Sequence, residues 1–181
     1  MRIEQTTLPG VVVLVADVYR DDRGAFQETW NLRKVADAGL PSNWVQDNFS
    51  LSRKNVLRGI HYQLTQPQGK LVRVTHGGVL DIAVDLRRSS PTFGKHVAVE
   101  LDGERGRMLW IPVGFGHAFL ALTELVGFAY KVTDYYSPND ERTIRWDDPD
   151  LAIPWPVGAA QLIVSAKDQA GVAFGDAQVF A

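Results

Sequence analysis

The alternation of apolar and polar side chains in short runs constrains the fold of this chain more than any other feature. In residues 79–86, Leu80, Ile82 and Val84 share one face, and Asp81 lies on the other. Successive side chains of a β-strand point to opposite faces, so this period of two predicts a strand. So many such runs predict an all-β fold, a jelly-roll β-barrel with one or two short helices, that uses residues 1–181 as one domain. Further β-branched and aromatic runs, bounded by Gly, Pro, Asn and Asp, lie at 11–15, 25–30, 70–74, 96–101, 108–111, 118–122 and 125–133.

Helix and turn signals are few. Asn31 can cap a helix over residues 31–38, and Gly39 with the proline at 41 would end it. The Gly77-Gly78 pair between two strands predicts a tight hairpin. The last part of the chain is rich in Ala and Gly, so we expect a surface segment lying over the barrel, with a peripheral tail beyond about residue 168.

The bulk charge excludes several classes of partner. The net charge is −2 and the sequence pI is about 6.1, so nothing points to nucleic acid or to an acidic membrane surface.

With 0 cysteines there is no disulfide framework and no thiolate chemistry, which is typical of a reducing cytoplasm. The N-terminus lacks a signal-peptide pattern, and the apolar run at 11–16 is too short to span a bilayer. We expect a soluble, cytoplasmic protein with no membrane partner.

His61 is the residue most suggestive of chemistry. The chain has only 4 histidines, and this one lies in an apolar run that also contains Arg58 and Gly59. Imidazole, with an unperturbed pKa of ~6.5, can take and return a proton near neutral pH. The alternative, a core histidine hydrogen-bonded to backbone, stays open on this segment alone. In a regular strand Arg58 and His61 would point to opposite faces, so sharing a pocket requires a bulge at Gly59.

A possible metal site is incomplete. Residues 106–117 read G-x5-P-x-G-x-x-H and resemble the second motif of the cupin superfamily, whose first motif supplies two His and one Glu. Here Gln63 stands where a second ligand belongs, and no Glu follows. His61 and His117 alone are too few for a tight site. His76 and His96 have the sequence setting of ordinary surface residues. We therefore expect a cupin-like cavity without a metal.

Other groups could join His61, although no spacing argument ties them together. Lys70 could equally be a strand-edge lysine, and Tyr130 a core aromatic residue. Asp168 would by default be a surface turn residue. Further cations and amides near His61 in sequence are Arg58, Arg73, Gln46 and Asn48.

Nine sequence blocks are spread along the chain: DRGAFQE (22–28), QDNFS (46–50), VLRGIHYQ (56–63), GKLVR (69–73), SPTFG (90–94), WIPVGFGH (110–117), YKVTDYY (130–136), IPWP (153–156) and KD (167–168). With these blocks the chain resembles the RmlC family, the dTDP-4-dehydrorhamnose 3,5-epimerases, from about residue 8 to residue 168. The resemblance implies a cupin-type jelly roll that needs no metal or other cofactor and is usually a homodimer. It implies epimerisation of dTDP-4-dehydro-6-deoxy-D-glucose, a dTDP-4-keto-6-deoxy sugar nucleotide, at carbons 3 and 5.

The resemblance also implies roles for individual residues. His61 matches the base and Asp168 the carboxylate that orients it. Tyr130 matches the acid on the opposite face of the sugar, and Lys70 the cation near the ketone oxygen. Phe26 and Tyr136 are the expected ring partners of the thymine, and some contacts come from the partner subunit. The implied substrate contacts are Arg23, Phe26, Glu28, Gln46, Asp47, Asn48, Arg58, His117, Tyr136, Glu141 and Lys167.

Three alternatives stay open at this stage. A relative that inverts only carbon 3 or carbon 5 would use the same base and cation. A metal-dependent cupin enzyme would hold stoichiometric metal. A catalytically silent sugar-nucleotide binding module would bind without turnover.

Overall fold

The computed structural model describes all 181 residues, and most of its regular structure is β-strand. Two short helices are present, α1 (Leu32–Asp37) and α2 (Ala166–Gln169). The strands are β1 (Arg2–Gln5), β2 (Val12–Val15), β3 (Val18–Asp21), β4 (Gly24–Gln27), β5 (Gln46–Arg53), β6 (Val56–Gln63), β7 (Lys70–His76), β8 (Gly78–Asp85), β9 (His96–Asp102), β10 (Arg107–Ile111), β11 (Phe115–Ala121), β12 (Leu125–Val132), β13 (Glu141–Thr143) and β14 (Ile163–Val164).

The strands form two main antiparallel sheets that face each other. The first sheet has the order β1-β2-β10-β7-β12-β5, and the second has the order β13-β6-β11-β8-β9, with β14 added in parallel to β6. The β3–β4 hairpin forms a small sheet of its own. Consecutive strands repeatedly cross from one main sheet to the other, which is the jelly-roll arrangement. The prediction of an all-β jelly roll with one or two short helices is confirmed.

The main core fills the space between the two sheets. Val72 and Phe128 from the first sheet meet Ala83 and Phe119 from the second, and each is at most 4% exposed. The Phe119 and Phe128 rings stack with centroids 4.2 Å apart. Full burial of such a side chain contributes about 1.5–3 kcal/mol, so this layer holds the sheets together. One end of the same interior is polar, and the candidate site lies there.

The C-terminal part of the chain covers the outer face of the second sheet. Ile82 and Val84 pack there against Ile144 and other residues of the C-terminal third. Farther along, the Tyr62 hydroxyl donates to the Gln178 carbonyl over 2.5 Å. The final segment therefore lies over the barrel, as its composition predicts. Both faces of β8 are consequently buried.

The local predictions had mixed outcomes. Asn31 caps α1, since its side chain accepts from the Lys34 amide over 3.2 Å. The predicted hairpin at Gly77 is wrong, because β7 and β8 lie in different sheets and do not pair. Gly77 has φ +75, and the turn carries the chain across the barrel instead. Neither α-helix has the length and apolar character needed to cross a bilayer.

Candidate active site

A polar cavity of about 360 Å³ opens between the two sheets. The first sheet contributes β5, β7 and β12 to its walls, and the second contributes β6 and β11. Segment 165–168 closes one side. The lining residues are Asn48, Phe49, Ser50, Arg58, His61, Lys70, His117, Phe119, Phe128, Tyr130, Ser165, Lys167 and Asp168.

Arg58 and His61 both reach this cavity because β6 is bulged. His61 pairs with His117 of β11 and Arg58 pairs with Phe119, so two residues of β6 oppose one residue of β11. Such a bulge reverses the alternation of faces over the rest of the strand. The predicted bulge at Gly59 is confirmed. The Arg58 guanidinium is further held by the buried Ser52 hydroxyl, whose oxygen accepts from Nε over 3.2 Å.

His61 is bound by a buried carboxylate. Its Nε2 lies 2.5 Å from Oδ1 of Asp168, which is only 2% exposed. Asp168 stands on α2, whose first turn is capped when the Ser165 hydroxyl accepts from the Asp168 amide. Burial alone would raise the pKa of Asp168, but the hydrogen bond and charge of His61 lower it below its ordinary value. Asp168 is therefore an ionised partner that orients the imidazole, and not the surface turn residue that the local sequence favours.

Lys70 lies inside the barrel and has no ion-pair partner. It is 8% exposed at the start of β7, on the same face as Val72 and Val74, so it is no strand-edge lysine. Burial lowers the pKa of its ammonium to about 8, while the charges of Glu141 and Asp81 act in the opposite direction. An amine with this pKa is mostly protonated at neutral pH. Because its charge is not paired with a carboxylate, it can stabilise an oxyanion in the cavity.

Tyr130 faces the cavity from the sheet opposite His61. It stands on β12 of the first sheet, whereas His61 stands on β6 of the second. Burial raises the pKa of the phenol, and the nearby charge of Glu141 adds to the effect. The hydroxyl is therefore protonated across the physiological range and can donate a proton from the wall that faces the imidazole.

His117 is paired with a second buried carboxylate. Its Nε2 lies 3.1 Å from both oxygens of Asp81, which is 0% exposed. Burial lowers the pKa of His117 more than the charge and hydrogen bond of Asp81 raise it, so the imidazole is neutral. A carboxylate can only accept, so the ring proton is on Nε2 and the lone pair is on Nδ1.

The rim of the cavity carries a connected group of polar residues. Glu141, on β13, accepts from the Tyr136 hydroxyl over 2.8 Å and pairs with the Lys167 ammonium. The Gln46 side chain accepts from the Tyr136 amide and donates to Asn48. This network fixes one aromatic ring and one cation beside the opening.

Some predicted substrate contacts lie elsewhere in the single chain. Arg23 and Phe26 are on the β3–β4 hairpin and are strongly exposed, and Arg23 pairs with the neighbouring Asp21. Glu28 pairs with Lys34 of α1 over 2.8 Å. Within one chain none of these three predicted contacts lines the cavity.

Asp47 is also separated from the cavity. Its carboxylate lies on the outer face of the first sheet, where it binds the Lys131 ammonium over 2.8 Å. Its neighbour Asn48 points the other way, into the cavity, because side chains alternate along β5. Both stay predictions as substrate contacts.

The sequence did not predict four residues that line or support the cavity. Ser50 and Ser165 line the cavity, while Ser52 and Asp81 support residues that do. The two serines of β5 could have been found, since they continue the polar face of Gln46 and Asn48 at spacings of two. Asp81 was visible only as a charge on an alternating strand.

The Gln63 position is occupied by a structural residue. Its side-chain amide donates to the carbonyls of Gln66 and Tyr135 and accepts from the Ser137 amide, so it ties two loops together. The two cavity histidines are paired with different carboxylates. No group of three or more His, Cys, Asp or Glu side chains is placed to hold a metal ion.

Comparison with known proteins shows the family of the chain. A family model described as dTDP-4-dehydrorhamnose 3,5-epimerase matches residues 5–176. The chain belongs to this family. Its relatives include the dTDP-4-dehydrorhamnose 3,5-epimerase of Pseudomonas aeruginosa, which is 50% identical over 181 residues that cover 99% of each chain. The resemblance predicted from the sequence blocks is confirmed.

Solved structures of the family superpose closely on the chain. The crystal structure of the epimerase RmlC from Legionella pneumophila, in complex with dTDP-4-keto-L-rhamnose, has a TM-score of 0.94 and 46% identity, covering 98% of this chain and 94% of that one. ChmJ, a 3'-monoepimerase from Streptomyces bikiniensis in complex with dTDP-quinovose, has a TM-score of 0.87 and 31% identity, covering 94% and 86%. The epimerase fold thus extends over nearly the whole chain.

Proposed function

We propose that this chain epimerises dTDP-4-dehydro-6-deoxy-D-glucose at carbons 3 and 5, giving dTDP-4-dehydro-L-rhamnose. One arrangement carries the proposal: a carboxylate-bound imidazole and a protonated phenol face each other from opposite sheets, with a buried ammonium in the same cavity. Membership of the epimerase family supports it.

Lys70 would make the hydrogens beside the ketone acidic enough to remove. A carbon next to a ketone loses its proton to give an enolate, whose charge develops on the ketone oxygen. A positive group fixed in a dry site stabilises that charge strongly, because no solvent has to reorganise. Lys70 is buried and unpaired, so its full charge is available to the oxygen.

His61 and Tyr130 would then invert the carbon. His61 takes the proton from one face of the sugar, with Asp168 holding the ring in position. Tyr130 returns a proton from the other face, and its raised pKa keeps it a donor until then. Each inversion exchanges one proton and changes no oxidation state, so the chemistry calls for no nicotinamide.

The rest of the cavity suits a nucleotide sugar. Arg58 and Lys167 are cations at the opening, where a diphosphate would lie. Tyr136 is half-exposed beside them and is held by Glu141, so its ring is available for a base to stack on. His117 and Asn48 offer hydrogen bonds to the sugar. These assignments rest on position and chemistry.

A homodimer would complete the site. On β5, an edge strand, Asn48 and Ser50 face the cavity, while Phe49 and Leu51 alternate with them and are 61% and 59% exposed. A second cavity of about 350 Å³ opens on the same outer face, lined in part by Trp30 and Met108. A partner seated there would cover this apolar surface, and a hairpin such as β3–β4 could bring Arg23 and Phe26 to the neighbouring site. We place the enzyme in the cytoplasm, in keeping with its lack of cysteine.

Turnover in deuterated water tests the reaction. We expect the product to carry deuterium at both carbon 3 and carbon 5, because each returned proton comes from solvent. His61→Asn, similar in size, should incorporate none and controls for spontaneous exchange. Label at one carbon alone would make the chain a single-carbon epimerase, and binding of the sugar nucleotide with no label would make it a binding module. Either result would overturn the proposal.

A further inference from the structure

Asp81 is a buried carboxylate that the fold does not explain. It lies on β8, is 0% exposed, and has the Nε2 of His117 as its only hydrogen-bond partner. Asp85 makes the contrast clear. It lies four residues farther on the same face and is also 0% exposed, but it binds the Arg87 guanidinium and two hydroxyls. Asp85 is thus paired with a cation of its own, and Asp81 is not.

Burying an unpaired carboxylate is costly. Removing an ion from water costs several kcal/mol, and the hydrogen bond from a neutral imidazole offsets little of this desolvation penalty. A neutral amide in this position could accept the same proton from His117 at lower cost. The negative charge of Asp81 therefore does not serve the stability of the fold, and we look for its role in the site.

Lys70 supplies the explanation. This ammonium lies in the same interior, where the charges of Glu141 and, to a smaller extent, Asp81 raise its pKa against the effect of burial. It has no ion pair of its own. Lys70 and His117 line the same cavity, and Asp81 contacts His117 over 3.1 Å.

We propose that Asp81 is a positioning residue, which fixes His117 with its proton on Nε2 and whose charge keeps the Lys70 ammonium protonated beneath the substrate. The inference rests on the proposed function, since it assigns Lys70 to the ketone oxygen. The neutral His117 would then present the Nδ1 lone pair to the cavity as an acceptor for a sugar hydroxyl.

Glu141 raises the pKa of Lys70 more than Asp81 does, but of the two carboxylates only Asp81 has no cation partner of its own. Asp168 is bound to His61, and Glu141 is paired with Lys167 at the rim. Arg58 would disfavour a second cation nearby. The titratable or charged groups that face Lys70 from the surrounding elements are Arg58 and His61 on β6, Asp81 on β8, His117 on β11, Tyr130 on β12, Glu141 on β13, and Lys167 and Asp168 on segment 165–168.

The pH dependence of kcat separates this role from a structural one. Asp81→Asn keeps an acceptor oxygen for the His117 proton and removes the charge. We expect the alkaline limb of kcat to move down by at least about half a pH unit, as expected when an opposite charge is lost. Near pH 6.5, where Lys70 stays protonated in both proteins, the loss of kcat in the variant should be smaller than at pH 8.

Asp85→Asn is the matched control. It removes a buried carboxylate from the same face of the same strand, so it should lower the melting temperature and leave the alkaline limb in place. If Asp81→Asn does not fold, Asp81→Ser removes the same charge with a smaller side chain and should give the same shift.

Two results would overturn the inference. One is an unshifted alkaline limb in a folded, neutral Asp81 variant, and the other is a kcat lowered by the same factor at every pH. If the unchanged enzyme itself fails to epimerise, the proposed function is wrong, and that failure is visible before any variant is compared.

Discussion

Arg58 and His61 are three residues apart on β6, yet both side chains enter one cavity because two residues of this strand oppose a single residue of β11. The bulge depends on Gly59. Its φ is +124, and a Cβ added there would lie 2.4 Å from the Cβ of Ala118 and 2.6 Å from the His117 carbonyl oxygen. Only glycine fits this backbone at this distance from β11.

Gly59→Ala should therefore lose both stability and activity. Strain at a positive φ and overpacking each cost about 1–3 kcal/mol, so we expect the unfolding free energy to fall by about 2–6 kcal/mol. In the fraction of the variant that stays folded, kcat should be much lower because Arg58 or His61 no longer points into the cavity. Urea unfolding and a turnover assay measure the two effects. Gly158→Ala is the control, since nothing lies within 4 Å of its added Cβ and it should behave like the unchanged chain.

Asp168→Asn should leave the fold and remove most of the activity. The amide has the shape of the carboxylate, but it cannot stabilise an imidazolium and can bind the wrong tautomer. By analogy with other His–Asp pairs, we expect kcat to fall by about 10²–10⁴-fold, with a small change in KM. Asp147→Asn, which removes a carboxylate paired with Arg145 away from the cavity, should have a kcat within twofold of the original. Equal kcat in the two variants would contradict an orienting role.

The sequence predicted the fold more completely than the site. Runs of alternating apolar and polar residues predicted the strands, because each sheet buries one face in a common core. Alternation does not indicate which strands pair, so the prediction of a hairpin at Gly77 was wrong. Gly59 did predict the bulge, since a glycine between two polar residues of a strand has few other reasons to be there.

The residues that local sequence could not place were those whose role depends on contacts between distant parts of the chain. Asp168 gave no local sign of being buried, because a short helix far along the chain brings it to His61. Asp81 looked like the polar face of a half-exposed strand. It is buried because its face, shared with Val79 and Ala83, points into the space between the sheets, while the apolar face of β8 packs against the C-terminal segment.

Leu51→Glu should dissociate the proposed dimer and lower activity. Leu51 is 59% exposed on edge strand β5, and a carboxylate there could not be buried against a partner without a large penalty. Light scattering should report a monomer, and KM for the sugar nucleotide should rise because the partner's hairpin is lost. Ile163→Glu, at a similarly exposed position on the second sheet, should keep the dimer. A dimeric, fully active Leu51→Glu enzyme would exclude this face as the interface.

Lys70→Met should give a more stable and inactive protein. The folded pKa of Lys70 is about 8, below its ordinary value of 10.5, so at neutral pH the buried charge destabilises the fold. Replacing it with an apolar side chain of similar length should raise the unfolding free energy at pH 7 by on the order of 3 kcal/mol. Loss of the charge beside the enolate should cost at least about 10²–10³-fold in kcat. Lys54→Met, at a surface lysine paired with Glu124, should change neither quantity much.

The same residue predicts opposite pH trends for stability and activity. Between pH 8 and 10.5 the unfolded chain binds the Lys70 proton and the folded chain does not, so stability of the unchanged protein rises with pH relative to Lys70→Met. The stability advantage of the variant should therefore shrink across this window. Over the same range kcat of the unchanged enzyme should fall, because the cation is lost. A stability gap that stays constant from pH 7 to 10.5 would mean that Lys70 is not titrating inside the barrel.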